Sequence, residues 1–215
     1  MPPEVVVVDY GVGNLGSVVR ALAACGAAPG LSGDPGEIEH AARLILPGVG
    51  AFGDGMEELR KRALIEPIRA FARSGRPFLG ICLGMQMMFT TGEEFGVVPG
   101  LALVEGSVRA IPRDGRKVPH IGWSRIAPSG PNGVWRGTIL DGLVAEPSAY
   151  FVHSYAAVPA DPARLLAFCD YDGCRIAAAV RAGNLYGCQF HPEKSGPTGL
   201  RILRNFLSLE DTAGE

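Results

Sequence analysis

Cys82 lies in the run Pro77-Phe78-Leu79-Gly80-Ile81-Cys82-Leu83-Gly84-Met85-Gln86-Met87-Met88-Phe89, with a glycine two residues away on either side. Residues 77–81 read as a short apolar strand, and residues 83–89 start a helix. A cysteine at such a junction is a candidate nucleophile. A tight strand-to-helix turn strains the central residue and lifts its side chain above the sheet edge. Flanking glycines let neighbouring backbone approach where a Cβ would clash. The helix N-terminus points free N–H groups at the sulfur and favours thiolate over thiol. By itself the residue also reads as a buried core thiol, as most free cysteines are.

A nucleophile needs a base and an orienter. His191 directly follows the predicted strand 184–190, and Glu193 lies two residues further on. In an extended segment i and i+2 point the same way, so the carboxylate can accept one ring N–H and leave the other nitrogen facing Cys82. Pro192 fixes φ between them. Cys82, His191 and Glu193 therefore form a candidate triad. Of the other histidines, His40 sits in a polar surface segment. His120 lines a cleft or fills a strand end. His153, among aromatics, reads as a satisfied, half-buried side chain. None has a carboxylate placed as Glu193 is. No third ligand converges with His191 and Glu193 for a metal.

An oxyanion site needs fixed N–H donors. Strand 43–47 breaks into Pro47-Gly48-Val49-Gly50-Ala51-Phe52-Gly53 on the same carboxyl edge. This is either a plain strand-to-helix turn or an oxyanion hole. The spacing Gly11, Gly13, Gly16 after the strand 5–8 matches a dinucleotide fingerprint, but weakly. Residues 29–32 make a poor second strand before the acidic Asp34, so a loop closing onto a site or partner fits better.

These side chains require an α/β frame. Residues 5–8 are all valine, as in a strand buried on both faces. A helix runs to about Ala24, with Asn14 or Ser17 as its cap. One or two helices cover 56–74, with Pro67 at a break or first turn. Right-handed crossovers make these strands parallel. Residues 92–100 are turn-rich, and Glu93 and Glu94 can curl back to the pocket. Strands follow at 104–111, 118–126, 148–157, 165–170, 175–180 and 184–190. Residues 129–133 and 172–173 are turns. The last helix spans about 197–209, and 211–215 frays. The prediction is one domain over 1–215, with a mostly parallel sheet, an antiparallel extension and a small second sheet.

Composition excludes several classes. The 22 acidic and 20 basic residues nearly cancel and form no run, which argues against a nucleic-acid backbone or an anionic membrane as partner. No apolar run reaches membrane-spanning length, and no signal peptide precedes the first strand. The five cysteines (Cys25, Cys82, Cys169, Cys174, Cys188) are odd in number and include no Cys-x-x-Cys, so a disulfide scaffold is not expected. The expected compartment is reducing and cytoplasmic. Cys174 and Cys188 are placed on facing strands.

Six blocks carry a family resemblance: Asp9-Tyr10-Gly11-Val12-Gly13-Asn14, Pro47-Gly48-Val49-Gly50-Ala51-Phe52, Gly80-Ile81-Cys82-Leu83-Gly84-Met85-Gln86, Pro119-His120-Ile121-Gly122-Trp123, Tyr150-Phe151-Val152-His153-Ser154-Tyr155 and Gln189-Phe190-His191-Pro192-Glu193-Lys194-Ser195. The sequence resembles the triad-type (class I) glutamine amidotransferases. Within them it is similar to the glutaminase subunits of imidazole glycerol phosphate synthase. Ser124 stands where that group usually has asparagine, a departure expected to touch no chemical role.

The resemblance implies a flavodoxin-like three-layer sandwich and a cofactor-free hydrolysis of L-glutamine to glutamate and ammonia. It implies an oxyanion hole from Gly48, Val49, Gly50 and Leu83. Gln86 and Glu94 would hold the amino acid end of the substrate, with Ser154 and Tyr155 near its carboxylate. Ammonia would pass to a separate (β/α)₈ cyclase subunit of histidine biosynthesis. Tyr150 and Lys194 would meet that partner, and the aromatic Trp123 is a further interface candidate. Glutaminases serving other pathways, and stand-alone thiol γ-glutamyl hydrolases, share the triad. A peptide flip in loop 47–50 is the expected switch from a weak to a coupled glutaminase.

Overall fold

The computed structural model describes residues 4–130, 135–143 and 147–211. Strands β1 (Val5–Val8), β2 (Pro29–Ser32), β3 (Leu44–Gly48) and β4 (Phe78–Cys82) alternate with helices α1 (Leu15–Ala24), α2 (Pro35–His40), α3 (Phe52–Lys61) and α4 (Ile65–Arg73). Helix α5 (Leu83–Met87) then leads into β5 (Phe89–Gly92), β6 (Val98–Pro99), β7 (Val104–Ala110), β8 (His120–Arg125) and β9 (Ala127–Pro128). The chain closes with β10 (Ser148–His153), β11 (Tyr155–Pro159), β12 (Leu165–Tyr171), β13 (Cys174–Ala182), β14 (Leu185–Cys188) and α6 (Gly196–Leu207).

The main sheet has eight strands in the order β2-β1-β3-β4-β14-β13-β12-β9. The first five are mutually parallel and the last three run antiparallel. The predicted antiparallel extension is therefore present. Two smaller sheets stand beside it, β10-β8 and β11-β7-β5-β6.

The all-valine β1 shows why the frame has three layers. Val5 and Val7 enter one core with Val18 and Leu22 of α1 and Leu203 and Phe206 of α6. Val6 and Val8 enter the other core with Ile38, Met56, Leu59 and Phe71 of α2, α3 and α4. Alternate residues of a strand face opposite sides, so a central strand must be apolar throughout.

Several local expectations change. Residues 29–32 do form a strand; it is an outer strand, where proline and glycine cost little and Leu31 stays half exposed. Asp34 accepts the Glu37 N–H at 2.9 Å and caps α2, so its carboxylate is spent on the helix. Neither Asn14 nor Ser17 caps α1 through its side chain. The run 148–157 divides at Ser154, because its halves belong to different sheets. Part of the turn-rich 92–100 region is strand, and α5 stops at Met87 to release β5. Of the predicted turn 129–133, residues 131–133 lie outside the described residues, as do 212–215 of the predicted fraying end. Cys174 pairs in register with Tyr171 and Cys188 with Ala179, so the two are not opposite each other. All five cysteines are free.

Candidate active site

Cys82 ends β4 and has φ +55° and ψ −111°, a strained conformation for any residue with a Cβ. Helix α5 begins at the next residue. The strain persists because the elbow has no room to relax. A Cβ on Gly84 would lie 1.7 Å from the Leu46 carbonyl oxygen, and one on Gly80 would lie 2.7 Å from the Met85 nitrogen. The two glycines thus let α5 lie directly on β3 and β4.

His191 leaves β14 on the same carboxyl edge. Its main-chain N–H donates to the Tyr150 carbonyl at 2.9 Å, and Ser195 Oγ donates to its carbonyl at 2.6 Å. Its Nδ1 stands 2.7 Å from Glu193 Oε1, and both side chains are 2 % exposed. The sequence reading placed Glu193 on extended chain. It lies instead in a single 3₁₀ turn, Pro192–Lys194, which curls the carboxylate under the ring. A carboxylate only accepts here, so Nδ1 carries the proton and Nε2 is left free. Nε2 is buried with no hydrogen-bond partner, as is Glu193 Oε2. Burial works against the charged ring, but Cys82 and Glu193 outweigh it and hold the imidazolium up at about 9.

Cys82 and His191 open onto a cavity of about 430 Å³. It is also lined by Val49, Gly50 and Leu83, and by Gln86, Glu94, Ser154 and Tyr155. The structure thus gathers into one cavity most of the residues singled out in the sequence. Glu193 sits behind His191, outside the lining. Gly48 also stays behind the wall, since a Cβ there would meet Tyr10 Oη at 2.4 Å and Leu83 Cβ at 2.9 Å. Gly50 has φ +99° and open space around it. Glu94 Oε2 accepts the Phe52 N–H at the start of α3 at 2.8 Å, whereas Glu93 turns outward to Arg109.

Sequence reasoning missed four contributors. Tyr10 Oη donates to the Pro47 carbonyl at 2.9 Å and fixes that peptide. Burial first, and then the Cys82 charge, raise its phenol well above the ordinary range, so it stays a donor. Gln189 is fully buried and reaches both Gln86 and Cys82. It stands two residues before His191, so strand alternation was the signal that could have found it. His153 lines the cavity, and Pro119 lines it beside Val152.

His153 and His120 have a definite direction. The Tyr155 carbonyl accepts from His153 Nδ1 at 2.8 Å, so His153 Nε2 accepts from His120 Nδ1 at 3.0 Å. His120 Nε2 then accepts the Ser124 hydroxyl at 2.8 Å. Burial pushes both rings down to about 4, which keeps them neutral. Ser124 is thus linked through His120 to His153, which lines the cavity, and has no contact of its own there.

Trp123, Tyr150 and Lys194 lie outside the cavity and form their own cluster. Trp123 and Tyr150 are cross-strand partners with ring centroids 6.2 Å apart, and Lys194 Nζ lies 6.0 Å from the Tyr150 centroid. Trp123 is 58 % and Ile121 56 % exposed on the same outward face, next to Val152. Among the described residues no helix is long and apolar enough to cross a membrane, and no three metal-ligating side chains gather.

Comparison with known proteins agrees with this geometry. Residues 6–209 match the family "Glutamine amidotransferase class-I". The chain is 50 % identical over 211 residues to the imidazole glycerol phosphate synthase subunit HisH 1 of Legionella pneumophila (strain Paris), covering 96 % of this chain and 99 % of that one. It is 44 % identical over 210 residues to subunit HisH of Moorella thermoacetica, covering 98 % and 97 %. Among solved structures, a glutamine amidotransferase superposes with TM-score 0.72 at 19 % identity, covering 95 % of this chain and 99 % of that one. PurLQS from Thermotoga maritima superposes with TM-score 0.70 at 22 % identity, covering 96 % and 98 %. At such identities the structural likeness concerns the fold alone.

Proposed function

The chain belongs to the class I glutamine amidotransferases, and we propose that it is the glutaminase subunit of an imidazole glycerol phosphate synthase. It cleaves the side-chain amide of L-glutamine and passes the ammonia to a cyclase subunit. The observation that carries the chemistry is His191, which is locked by Glu193 at Nδ1 and presents an unpartnered Nε2 in the cavity of Cys82.

The Cys82 proton passes to His191 Nε2, and the sulfur attacks the carboxamide carbon. N–H groups of Val49, Gly50 and Leu83 face the developing oxyanion. Losing one such donor typically costs about 3 kcal/mol in the barrier. His191 returns the proton to the leaving nitrogen, releasing ammonia and a γ-glutamyl thioester. Water gives a proton to His191, attacks the thioester and frees glutamate and the thiol. Gln86, Glu94, Ser154 and Tyr155 hold the amino acid end.

Tyr10 anchors the Pro47 peptide, so the switch in this loop narrows to the peptides around Gly50. That residue alone in the loop combines a positive φ with open space. The (β/α)₈ cyclase docks on the Ile121–Trp123 face of β8 and β10, with Tyr150 and Lys194 beside it. An exposed apolar face on a two-stranded sheet is the kind of surface a stable partner covers. The chain works in the cytoplasm.

The test is glutaminase activity of the chain alone, then with the cyclase and its ribonucleotide substrate, with Cys82→Ala as control. Strong stimulation that vanishes in the variant is expected. Equal turnover with and without the loaded cyclase would overturn the coupled reading and leave a stand-alone amidase.

A further inference from the structure

We infer that Gln189 is a positioning residue that aims an N–H at the Cys82 sulfur and fixes the amide of Gln86. The inference deepens the glutaminase reading and concerns the same site. Gln189 does not line the cavity; it lies fully buried behind Cys82. Its main-chain N–H donates to the Ala178 carbonyl at 2.9 Å, which ties it to β13.

The direction of every bond follows from one backbone group. The Tyr155 carbonyl can only accept. It takes a hydrogen bond from the Gln86 side chain at 3.0 Å, so the Gln86 nitrogen faces it. The same nitrogen stands 3.0 Å from the Gln189 side chain, which must therefore present its oxygen. The Gln189 nitrogen is left facing Cys82, with Nε2 3.8 Å from Sγ, a hydrogen-bond distance for sulfur. Reversing Gln86 would set its oxygen against the Tyr155 carbonyl, two acceptors, and reversing Gln189 would set its NH₂ against that of Gln86, two donors.

Two consequences follow. An N–H aimed at sulfur stabilises the thiolate relative to the thiol. Gln86 has also committed both of its N–H bonds, so it can offer the cavity only its amide oxygen. That oxygen suits the α-ammonium of an amino acid and not its carboxylate.

The test uses Gln189→Glu and Gln189→Met in the full chain. Both remove the neutral amide donor. The glutamate variant keeps the size and the oxygen toward Gln86; the methionine variant loses both contacts. The first readout is the pH profile of Cys82 alkylation by iodoacetamide, followed by peptide mass spectrometry so that other cysteines do not count. Loss of the donor should move the profile up by about one pH unit and slow alkylation at neutral pH about tenfold. The second readout is glutamine turnover in the cyclase complex. Gln189→Glu should lower kcat with little change in KM, and Gln189→Met should also raise KM.

A shift in Gln189→Met supports the assignment whether or not Gln189→Glu follows, because the introduced carboxyl group, when protonated, can donate in place of the amide. No shift in Gln189→Met overturns it, and a shift in Gln189→Glu alone would then reflect charge repulsion. Thermal unfolding of each variant separates these outcomes from misfolding. Alkylation needs no substrate. If the wild-type chain proved not to hydrolyse glutamine, the alkylation result would still stand on its own.

Discussion

The pKa of the His191 ring is raised in spite of its burial because Cys82 and Glu193 both face it. This makes its titration a test of the site that needs no substrate. Its NMR-observed pKa should be about 9 in the intact chain, and should fall in both Cys82→Ala and Glu193→Gln. An unchanged value in either variant would remove that neighbour from the site. The folded value lies above the ordinary 6.5, so the ring contributes stability that is complete below about pH 6.5 and lost as the pH rises through about 9. Catalytically, Glu193→Gln should lower glutaminase turnover roughly a hundredfold or more, since the ring loses its fixed tautomer. The triad was legible in sequence because its members are local to strand ends, with Glu193 only two residues from His191. Gln189 and Tyr10 were not legible. Their roles depend on contacts with Cys82, Gln86 and Pro47, far away in sequence, which only the folded sheet brings together.

At the level of elements, the elbow is held by close packing of backbone on backbone. Gly84→Ala should cost on the order of 3 kcal/mol in chemical denaturation, because its Cβ has nowhere to go but into the Leu46 carbonyl. A variant as stable as wild type would show that α5 can lift off β3. The β8–β10 pair makes a different prediction. His120 and His153 are held neutral down to about pH 4 but take up protons near 6.5 when unfolded. The unfolded chain therefore binds more protons between these limits, and stability must fall with pH across that window. The loss should be at most roughly 3 kcal/mol for each ring, seen as a drop in unfolding free energy between pH 6.5 and 4. His120→Gln should flatten that slope, and an equally steep slope would exclude the pair as its source. Alternation and valine runs made the central strands readable. The outer strand β2 and the break at Ser154 were not, because the sheet that receives each strand decides both, and local propensity does not.

Across the whole molecule, the cavity draws its walls from all three sheets. Cys82 and His191 come from the main sheet, His153 from β10 and Tyr155 from β11. The outward face of β8 and β10 meets this cavity only at Val152, and Trp123 and Tyr150 stand outside it. Trp123→Ala should weaken binding to the cyclase by about tenfold or more in calorimetry and leave the uncoupled, basal glutaminase rate of the free chain unchanged. Unaltered affinity would place the interface elsewhere. The same apolar face has a meaning for the cell as well as for the complex. On the proposed docking, a copy made in excess of its partner keeps Ile121 and Trp123 in water on the outward face of β8. Such a surface invites self-association and capture by chaperones and proteases. The amount of this subunit that persists in a cell should therefore follow the supply of its partner and not its own rate of synthesis.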